Sequence, residues 1–276
     1  MPTILIFVVS IAAGVVGAMT GQGGGVLLVP FLTLFMGVPV KTAIAASIVS
    51  VIATSSGSAS AYVRDRVSNI KVGMFLEMFT IVGALVGAKI TLSSGAHVIY
   101  LVFGAVLLGS FVVLWLQPHA GEAVNTRQDR LSAYLELEGS YFDQAAGRNI
   151  SYKATNAALG GTLMFGAGLI AGMLGIGAGA LKVLIHDLVM RLPPKVSTTT
   201  SNFIIGVTAL AGASAYLAAG LVDPAIAVPV IVGVTAGSRV GTRILVKMSN
   251  AAVRKFFMVV LSILGTEMVL RGVGLL

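Results

Sequence analysis

The sequence contains no cysteine, and few of its 276 residues are charged. The lack of cysteine excludes a disulfide framework, a thiolate metal site and a cysteine nucleophile. Only 10% of the residues are charged and 57% are hydrophobic, whereas an ordinary soluble domain carries about 25% charged residues. Polar side chains are too scarce to cover a water-soluble globule, so the sequence predicts an integral membrane protein.

The hydrophobic part is rich in glycine and poor in aromatic residues. The chain has 34 glycines, and aromatic residues make up 7% of it. Small residues let membrane helices pack closely, whereas a membrane β-barrel would show short alternating strands and aromatic girdles. The composition therefore predicts an all-α polytopic membrane protein. We attribute the net charge of +8 to cytoplasmic loops and the headgroup region, and expect no nucleic-acid binding.

The membrane part is predicted to be duplicated. When the sequence is shifted by 154 residues without gaps, about a quarter of the positions between Gly14 and Ile90 are identical. The run at residues 59–62, for example, recurs at 213–216. We therefore expect a first transmembrane repeat at 1–116, a charged insertion or linker at 117–153, and a second transmembrane repeat at 154–276.

A cluster of glycines interrupts the first segment of each repeat, at residues 21–25 and 175–179. Each repeat is predicted to begin with a Gly-broken helix or re-entrant hairpin, with arms too short to span comfortably, followed by three transmembrane helices. A returning hairpin leaves an odd number of crossings, so the two repeats would be inverted. Counting each interrupted segment as a single crossing is the alternative topology.

The basic residues favour the inverted topology. It places them about threefold in excess on the side of the insertion, which we therefore assign to the cytoplasm, with both termini outside. The N-terminal stretch is apolar without a basic start, and we expect it to be the first membrane segment and not a removed signal peptide. Within the insertion, residues 149–153 follow a turn-like stretch and indicate a short strand. A plain linker is the favoured interpretation, and a folded cap that binds a partner is the alternative.

The two glycine clusters are the first candidate for a functional site. Breaks in membrane helices free backbone N–H and C=O groups, which are tolerated at membrane depth only inside protein or beside a watery cavity. In an inverted repeat both breaks approach the bilayer midplane, where such transporters bind substrate, and helix N-termini favour anions. An anion site is predicted, with simple helix packing by small residues as the alternative. Its glycines are Gly21, Gly23, Gly24, Gly25, Gly175, Gly177 and Gly179.

Polar side chains beside the clusters are predicted to line the same site. An amide in an apolar span needs hydrogen-bond partners, so Asn202 indicates either a site residue or a firm contact between helices. Hydroxyl groups can instead cap a helix or bond between helices, which is the alternative for the serines and threonines. The side chains assigned to substrate binding are Thr20, Gln22, Ser47, Thr200, Ser201 and Asn202.

Lys182 and His186 are the ionisable candidates. Lys182 follows Gly179 by three residues, so its ammonium and free backbone N–H groups could share one anion. His186 lies one turn further on the same face and is assigned as a proton relay. The alternative for Lys182 is snorkelling or a structural ion pair with Glu77 or Asp187. We find no metal-ligand spacing, nucleotide loop or catalytic triad, and expect no metal, no cofactor and no enzyme activity.

At these motifs the sequence resembles the TauE/SafE sulfite exporter family, also called the TSUP permeases. The first repeat carries GQGGGVLLVP at 21–30 and AAS at 45–47, and the second carries GIGAGALKV at 175–183 and KVSTTTSNFIIGVTA at 195–209. Two departures are GIGAG in place of the usual GxGGG, and Leu184 where the family often has proline. The resemblance implies a bacterial or archaeal permease for sulfite, thiosulfate or small organosulfonates.

The sequence therefore predicts a multi-pass secondary transporter in a prokaryotic plasma membrane, working by alternating access at a midplane site. The expected partners are a small sulfur oxyanion and the lipid bilayer. Because no ATP site is visible, coupling to protons or another ion gradient is expected, and a homodimer is left open. The alternatives are a non-transporting scaffold whose insertion recruits a soluble partner, and a passive anion channel.

Overall fold

The computed structural model describes residues 2–20, 23–64, 68–116, 128–143, 148–245 and 250–275. Within these ranges the chain is almost entirely helical, with one two-stranded sheet. Five of the described helices are long and apolar enough to cross a membrane. This confirms the all-α polytopic membrane fold expected from the composition.

The helices fall into two similar sets, separated by a small hairpin. The first set is α1 (Pro2–Thr20), α2 (Gly25–Leu34), α3 (Val40–Arg64), α4 (Ile70–Ser93) and α5 (Ala96–Leu116). Between the sets lie α6 (Arg130–Tyr134) and the antiparallel strands β1 (Glu138–Asp143) and β2 (Arg148–Lys153), paired from Glu138 with Lys153 to Asp143 with Arg148. The second set is α7 (Ala157–Leu174), α8 (Gly179–Leu184), a π-helical turn at Ile185–Val189, α9 (Pro194–Ala218), α10 (Pro224–Leu245) and α11 (Asn250–Gly272).

The second set repeats the first at a constant distance along the chain. Val40 and Pro194, the first residues of α3 and α9, are 154 positions apart, and both helices have 25 residues. The first residues of α2 and α8, of α4 and α10, and of α5 and α11 are separated by the same interval. The elements therefore recur at the offset that the identical residues share.

The two arms of each interrupted segment differ in length. The helices before the breaks, α1 and α7, have 19 and 18 residues, and α7 is long enough to span a membrane. The helices after the breaks are short, with 10 residues in α2 and 6 in α8. The prediction that both arms are too short is wrong for α7, and it is correct for α2 and α8.

The closest helix contacts are between the two sets. Helix α1 packs on α10, and the matching helices α7 and α4 pack on each other in the same way. In the two other contacts a helix packs on its own counterpart, α3 on α9 and α5 on α11. The partners α3 and α9 are antiparallel. Ser55 Oγ donates to the Asn202 carbonyl, and Ile48, earlier in α3, lies against Gly212, later in α9. The partners α5 and α11 are also antiparallel, since Gly104 lies beside Val269 and Leu101 beside Gly272.

The described part of the insertion is folded against the membrane helices. Asn69 caps α4 through its side-chain oxygen, and its Nδ2 donates to the buried Tyr152 hydroxyl at 3.0 Å. Lys71 forms an exposed ion pair with Glu136, and Ser132 Oγ accepts from the backbone N–H of Ala157 at the start of α7. The strand predicted at 149–153 is confirmed within β2. The plain-linker interpretation does not hold for this part, which contacts both sets of helices.

The hydrogen bond between Asn69 and Tyr152 should stabilise the docked hairpin. Burial raises the pKa of the Tyr152 phenol above its ordinary value of 10.0, so the hydroxyl stays protonated at neutral pH. Tyr152→Phe leaves the buried ring in place but removes this bond, which should cost about 1 kcal/mol. Thermal unfolding of the purified protein should show a Tm lower by about 2–4 °C. The control is Tyr134→Phe, because Tyr134 is 84% exposed; equal shifts in both variants would contradict the prediction.

Candidate functional site

The glycine clusters break the helices because their backbones enter the left-handed region. Gly23 and Gly24 have φ of 73° and 77°, and Gly175 and Gly177 have φ of 65° and 68°. Glycine adopts this conformation without steric cost, whereas other residues rarely do. Ala178 takes the same conformation, with φ of 48°, at the position that matches Gly24. The departure from the family motif at 178 therefore does not change the course of the chain. Gly21 and Gln22, and the Thr20 side chain, lie outside the described residues.

The two breaks touch each other. A Cβ atom on Gly25 would lie 2.6 Å from the Gly175 carbonyl oxygen and 2.6 Å from Ser47 Oγ, closer than real Cβ atoms come. Ser47 Oγ also donates to the Gly175 carbonyl at 2.7 Å and is buried. A serine of the first set thus joins the break of its own set to the break of the other.

Both breaks lie beside the middle of α3 and α9. A Cβ on Gly23 would lie 2.8 Å from Cγ1 of Val51. A Cβ on Gly177 would lie 3.0 Å from the same atom and 2.5 Å from Cδ1 of Ile205. Val51 and Ile205 are both the twelfth residue of their 25-residue helices. The breaks are therefore far from both ends of the bundle, and the described residues within them are buried.

Three polar residues at the start of α9 have different surroundings. Ser201 Oγ contacts the Gly179 carbonyl at 3.4 Å, which places it at the second break. Asn202 is 2% exposed, and its Nδ2 has no hydrogen-bond partner in the described part of the chain. Thr200 instead accepts from the backbone N–H of Asn69, next to the docked hairpin. The structure thus brings Ser201 to the second break, whereas Thr200 lies at the docked hairpin and Asn202 is buried within the bundle.

Lys182 joins a buried polar cluster that also contains Glu77. Its Nζ donates to Thr208 Oγ1 at 2.5 Å and lies 3.9 Å from Glu77 Oε2. Thr208 Oγ1 contacts both Glu77 oxygens, at 2.7 and 3.0 Å, and Thr80 Oγ1 donates to Oε2 at 2.8 Å. Lys182 is 0% and Glu77 3% exposed. The ion pair considered for Lys182 is therefore present, with the hydroxyl of Thr208 between the two charges.

Thr80 and Thr208 are the site residues that sequence reasoning missed. The spacing of each residue in the sequence could have indicated it. Thr208 lies seven residues after Ser201, on the same face of α9. That face also carries Ile205, which contacts Gly177. Thr80 lies three residues after Glu77, so the two side chains are neighbours on α4.

His186 lies in the π-helical turn that follows α8. Its Nδ1 is 3.2 Å from the Ser197 carbonyl oxygen, and the ring is completely buried. Within the described residues, His186 Nε2, Asp187 Oδ1 and Ser197 Oγ are buried atoms without a hydrogen-bond partner. A π-helical turn widens the helix and often marks a functional site.

Comparisons with known proteins identify the family to which the chain belongs. The sequence model of the sulfite exporter TauE/SafE family matches residues 6–268. The chain belongs to this family. The identification made from the glycine motifs is thereby confirmed, and the chain is a multi-pass membrane transporter with a small-molecule substrate.

The curated relatives of this family member match it over most of their length. The probable membrane transporter protein YunE of Bacillus subtilis is 26% identical over 280 residues, covering 99% of each chain. The probable membrane transporter protein YdhB of the same organism is 27% identical over 240 residues, covering 87% of this chain and 89% of its own. A probable membrane transporter protein of Methanocaldococcus jannaschii is 23% identical, covering 96% and 95%. These names agree with the expectation of a transporter and not an enzyme. No solved structure shows significant similarity to the chain.

Proposed function

We propose that this member of the sulfite exporter family is a secondary permease for a small sulfur oxyanion such as sulfite, thiosulfate or an organosulfonate. The observation that carries the proposal is the contact between the two glycine breaks, at Gly25 and Gly175. The amide of Asn202 is buried without a partner in the described part of the chain, and it lies three residues before Ile205, which contacts Gly177. A buried N–H group without a partner is costly, and an anion that accepts its hydrogen bond removes that cost.

The polar groups around the breaks suit a compact anion with several oxygen atoms. Within the described residues, Lys182 Nζ makes one hydrogen bond and one ion pair at 3.9 Å, although an ammonium has three N–H donors. Ser47 and Ser201 add hydroxyls that can turn from backbone carbonyls towards a ligand. Charge-assisted bonds to an oxyanion are about twice as strong as neutral ones, so Lys182 sets the preference for anions. The glycines of the proposed site let the backbone approach the anion closely; they are Gly23, Gly24, Gly177 and Gly179. The sequence adds Thr20, Gly21 and Gln22 to this site.

The mechanism we propose is alternating access between two inverted repeats, at residues 1–116 and 154–276. The antiparallel course of α3 against α9 and of α5 against α11 supports it, because equivalent helices reverse direction when repeats are inverted. The burial of the breaks supports it too, since a closed site must open for substrate to enter or leave. A hairpin that moves relative to the bundle would open it to one side at a time.

We place the insertion at 117–153 in the cytoplasm and both termini outside, in a prokaryotic plasma membrane. Lys71 contacts the insertion directly, and Arg191 follows Met190, whose carbonyl accepts from Thr155. At the opposite end of the bundle, Lys41 Nζ donates to the Leu92 carbonyl at the end of α4. This distribution supports the charge bias found in the sequence. The relatives from Bacillus and Methanocaldococcus support a prokaryotic source.

Ligand-induced stabilisation of the purified protein tests the site. The panel is sulfite, sulfate, thiosulfate, taurine, sulfoacetate and phosphate. A ligand at 100 times its Kd stabilises the folded state by about 2.7 kcal/mol, which raises the Tm by about 5–10 °C. We expect this for a sulfur oxyanion, and we expect Asn202→Ala to remove most of the shift.

Ser110→Ala is the control for loss of a polar group, because Ser110 donates within α5 to Val106. It should keep the full anion-induced shift. Counterflow of radiolabelled sulfite in proteoliposomes then separates a transporter from a passive channel, since only a transporter is stimulated by unlabelled sulfite on the far side. If no anion in the panel raises the Tm, the proposed anion site is refuted. The scaffold alternative would then be tested next.

A further inference from the structure

The buried pair of Glu77 and Lys182 joins the two repeats and has no charged counterpart at the matching positions. The positions that match them at the offset of 154 residues are Ile231 and Leu28, which carry no charge. Thr80 is likewise matched by Val234, and only Thr208 has a polar counterpart, Thr54. Packing of the repeated fold therefore does not require these charges, because α10 packs on α3 as α4 packs on α9, with no charge at the matching positions.

Burying an ion pair is costly, and the geometry of this one is not that of a firm structural bridge. The charged atoms are 3.9 Å apart, beyond hydrogen-bond distance, and the Thr208 hydroxyl contacts both. Two buried charges are well compensated only when good geometry and further hydrogen bonds satisfy the remaining groups. Ionisable groups inside a membrane span commonly mark ion pathways and proton relays. A pair with a hydroxyl between its members can separate without leaving either charge bare.

We propose that Glu77 is the proton-binding site that couples anion transport to the proton gradient. This rests on the proposed function, with Lys182 as the anion's ammonium ligand. A proton from the aqueous phase bonds to a carboxylate oxygen of Glu77 and neutralises it. Lys182 then has no counter-ion and binds the substrate oxyanion in its place. When the anion leaves on the other side, the proton leaves too and the ion pair re-forms, so one proton moves with each anion.

Few other titratable groups lie around Glu77, so the carboxylate is the natural proton acceptor. The helix packed most closely on α4 in the second set, α7, contains no titratable side chain. On α9 the Tyr216 hydroxyl is bonded to the Gly172 carbonyl, and Lys195 is exposed at the first turn. The remaining groups are Lys71 and Lys89, exposed on α4, Lys182 on α8, and His186 and Asp187 in the π-helical turn.

The π-helical turn offers a route for the proton. His186 lies one turn after Lys182, and Asp187 follows it towards the insertion side of the bundle. His186 Nε2 and Asp187 Oδ1 are buried atoms to which the described structure gives no partner. Such groups can pass a proton inwards through water without first breaking a hydrogen bond within the protein.

Two transport measurements on Glu77→Gln in proteoliposomes test the proposal. The first is counterflow of radiolabelled sulfite at equal pH on both sides, and the second is sulfite accumulation driven by a gradient of one pH unit with the membrane potential clamped. One proton per anion allows about tenfold accumulation in the wild type at this gradient. We expect Glu77→Gln to keep counterflow within about threefold of the wild type and to lose the accumulation, since glutamine cannot take up the proton.

The outcomes separate the two proposals. If wild-type protein shows no counterflow of sulfite or of any other anion in the panel, the proposed function fails. If Glu77→Gln accumulates sulfite in response to the pH gradient as the wild type does, the coupling site is not Glu77. Loss of counterflow and accumulation together in a folded Glu77→Gln protein would also overturn it, because the carboxylate would then be needed for binding itself.

Thr208→Val is a second test of the proposal, which can be used if Glu77→Gln does not fold, because it keeps both charges. Removing the hydroxyl between the charges should displace the midpoint of the pH dependence of sulfite uptake by about one pH unit, because a hydrogen bond to an ionised group is worth roughly that much. Thr235→Val is the matched control, since this hydroxyl donates only to the Ile231 carbonyl in its own helix. A midpoint that is the same in both variants and in the wild type would overturn the role of the cluster.

Discussion

Replacing Gly25 with alanine should lower sulfite counterflow by at least about tenfold while the protein still folds. The added methyl group would lie 2.6 Å from the Gly175 carbonyl oxygen and from Ser47 Oγ, so the two breaks must separate. Such overpacking costs about 1–3 kcal/mol, and about 1.4 kcal/mol is a factor of ten in an equilibrium constant. Because the strain falls at the contact that forms the proposed site, it should act on transport first.

Gly109→Ala is the matched control, because Gly109 also lies in a helix but a Cβ there meets no atom within 4 Å. Counterflow and thermal unfolding are measured on both variants and the wild type. We expect Gly109→Ala to match the wild type in counterflow and to have an equal or higher Tm, because alanine favours a helix over glycine. Wild-type counterflow in Gly25→Ala would show that the contact between the breaks is not part of the transport site.

Much of the fold could be predicted because its signals are local or repeated. Low charge and high hydrophobicity define a membrane protein regardless of which helices touch. The offset of 154 residues, found from identical residues, is also the interval between the starts of α3 and α9. The glycine clusters predicted the breaks because a left-handed backbone depends on the residue itself, as at Gly23 and Gly177.

The length of the arms was harder to predict. Hydropathy alone does not show where a helix ends inside an apolar run, and the cluster at 175–179 is itself apolar. The structure ends α7 at Leu174, where Gly175 enters the left-handed region. The helix therefore uses every residue up to the first glycine of the cluster and reaches the length of a span.

The contacts of the polar cluster could not be predicted in full because they depend on packing between the halves. Glu77 and Thr208 are 131 residues apart and meet only because α4 packs against α9. The duplication gave no hint of this contact, since the position matching Glu77 is Ile231. A repeat predicts what its two copies share, and this cluster is a difference between them.

Thr200 shows how helix geometry limits reasoning from a run of similar residues. Neighbouring residues in a helix point about 100° apart, so residues 198–202 cannot all face the glycine breaks. Ser201 reaches the Gly179 carbonyl, whereas Thr200 accepts from Asn69 at the start of α4. To decide which of the two residues faces the breaks, the rotation of α9 about its axis must be known. That rotation depends on the packing of α3 and α4 against α9.

Replacing Gly172 with alanine should lower the Tm by at least about 5 °C. A Cβ on Gly172 would overlap the carbonyl oxygen of Ala84, because α7 and α4 are in backbone contact there. Membrane helices associate through such close packing and gain little from the hydrophobic effect, so a forced separation removes what holds them together. Separation would also move α4, which carries Glu77 and Thr80. Overpacking costs about 1–3 kcal/mol, or more where the backbone cannot yield.

Gly166→Ala provides the control on the same helix. A Cβ on Gly166 meets no atom within 4 Å, and alanine favours a helix over glycine by about 1 kcal/mol. We expect the Tm of Gly166→Ala to equal or exceed that of the wild type. Both variants change helix propensity alike, so the difference between their Tm values isolates the contact with α4. Equal Tm values would mean that the two helices can move apart freely, and that the close approach at Gly172 does not stabilise the fold.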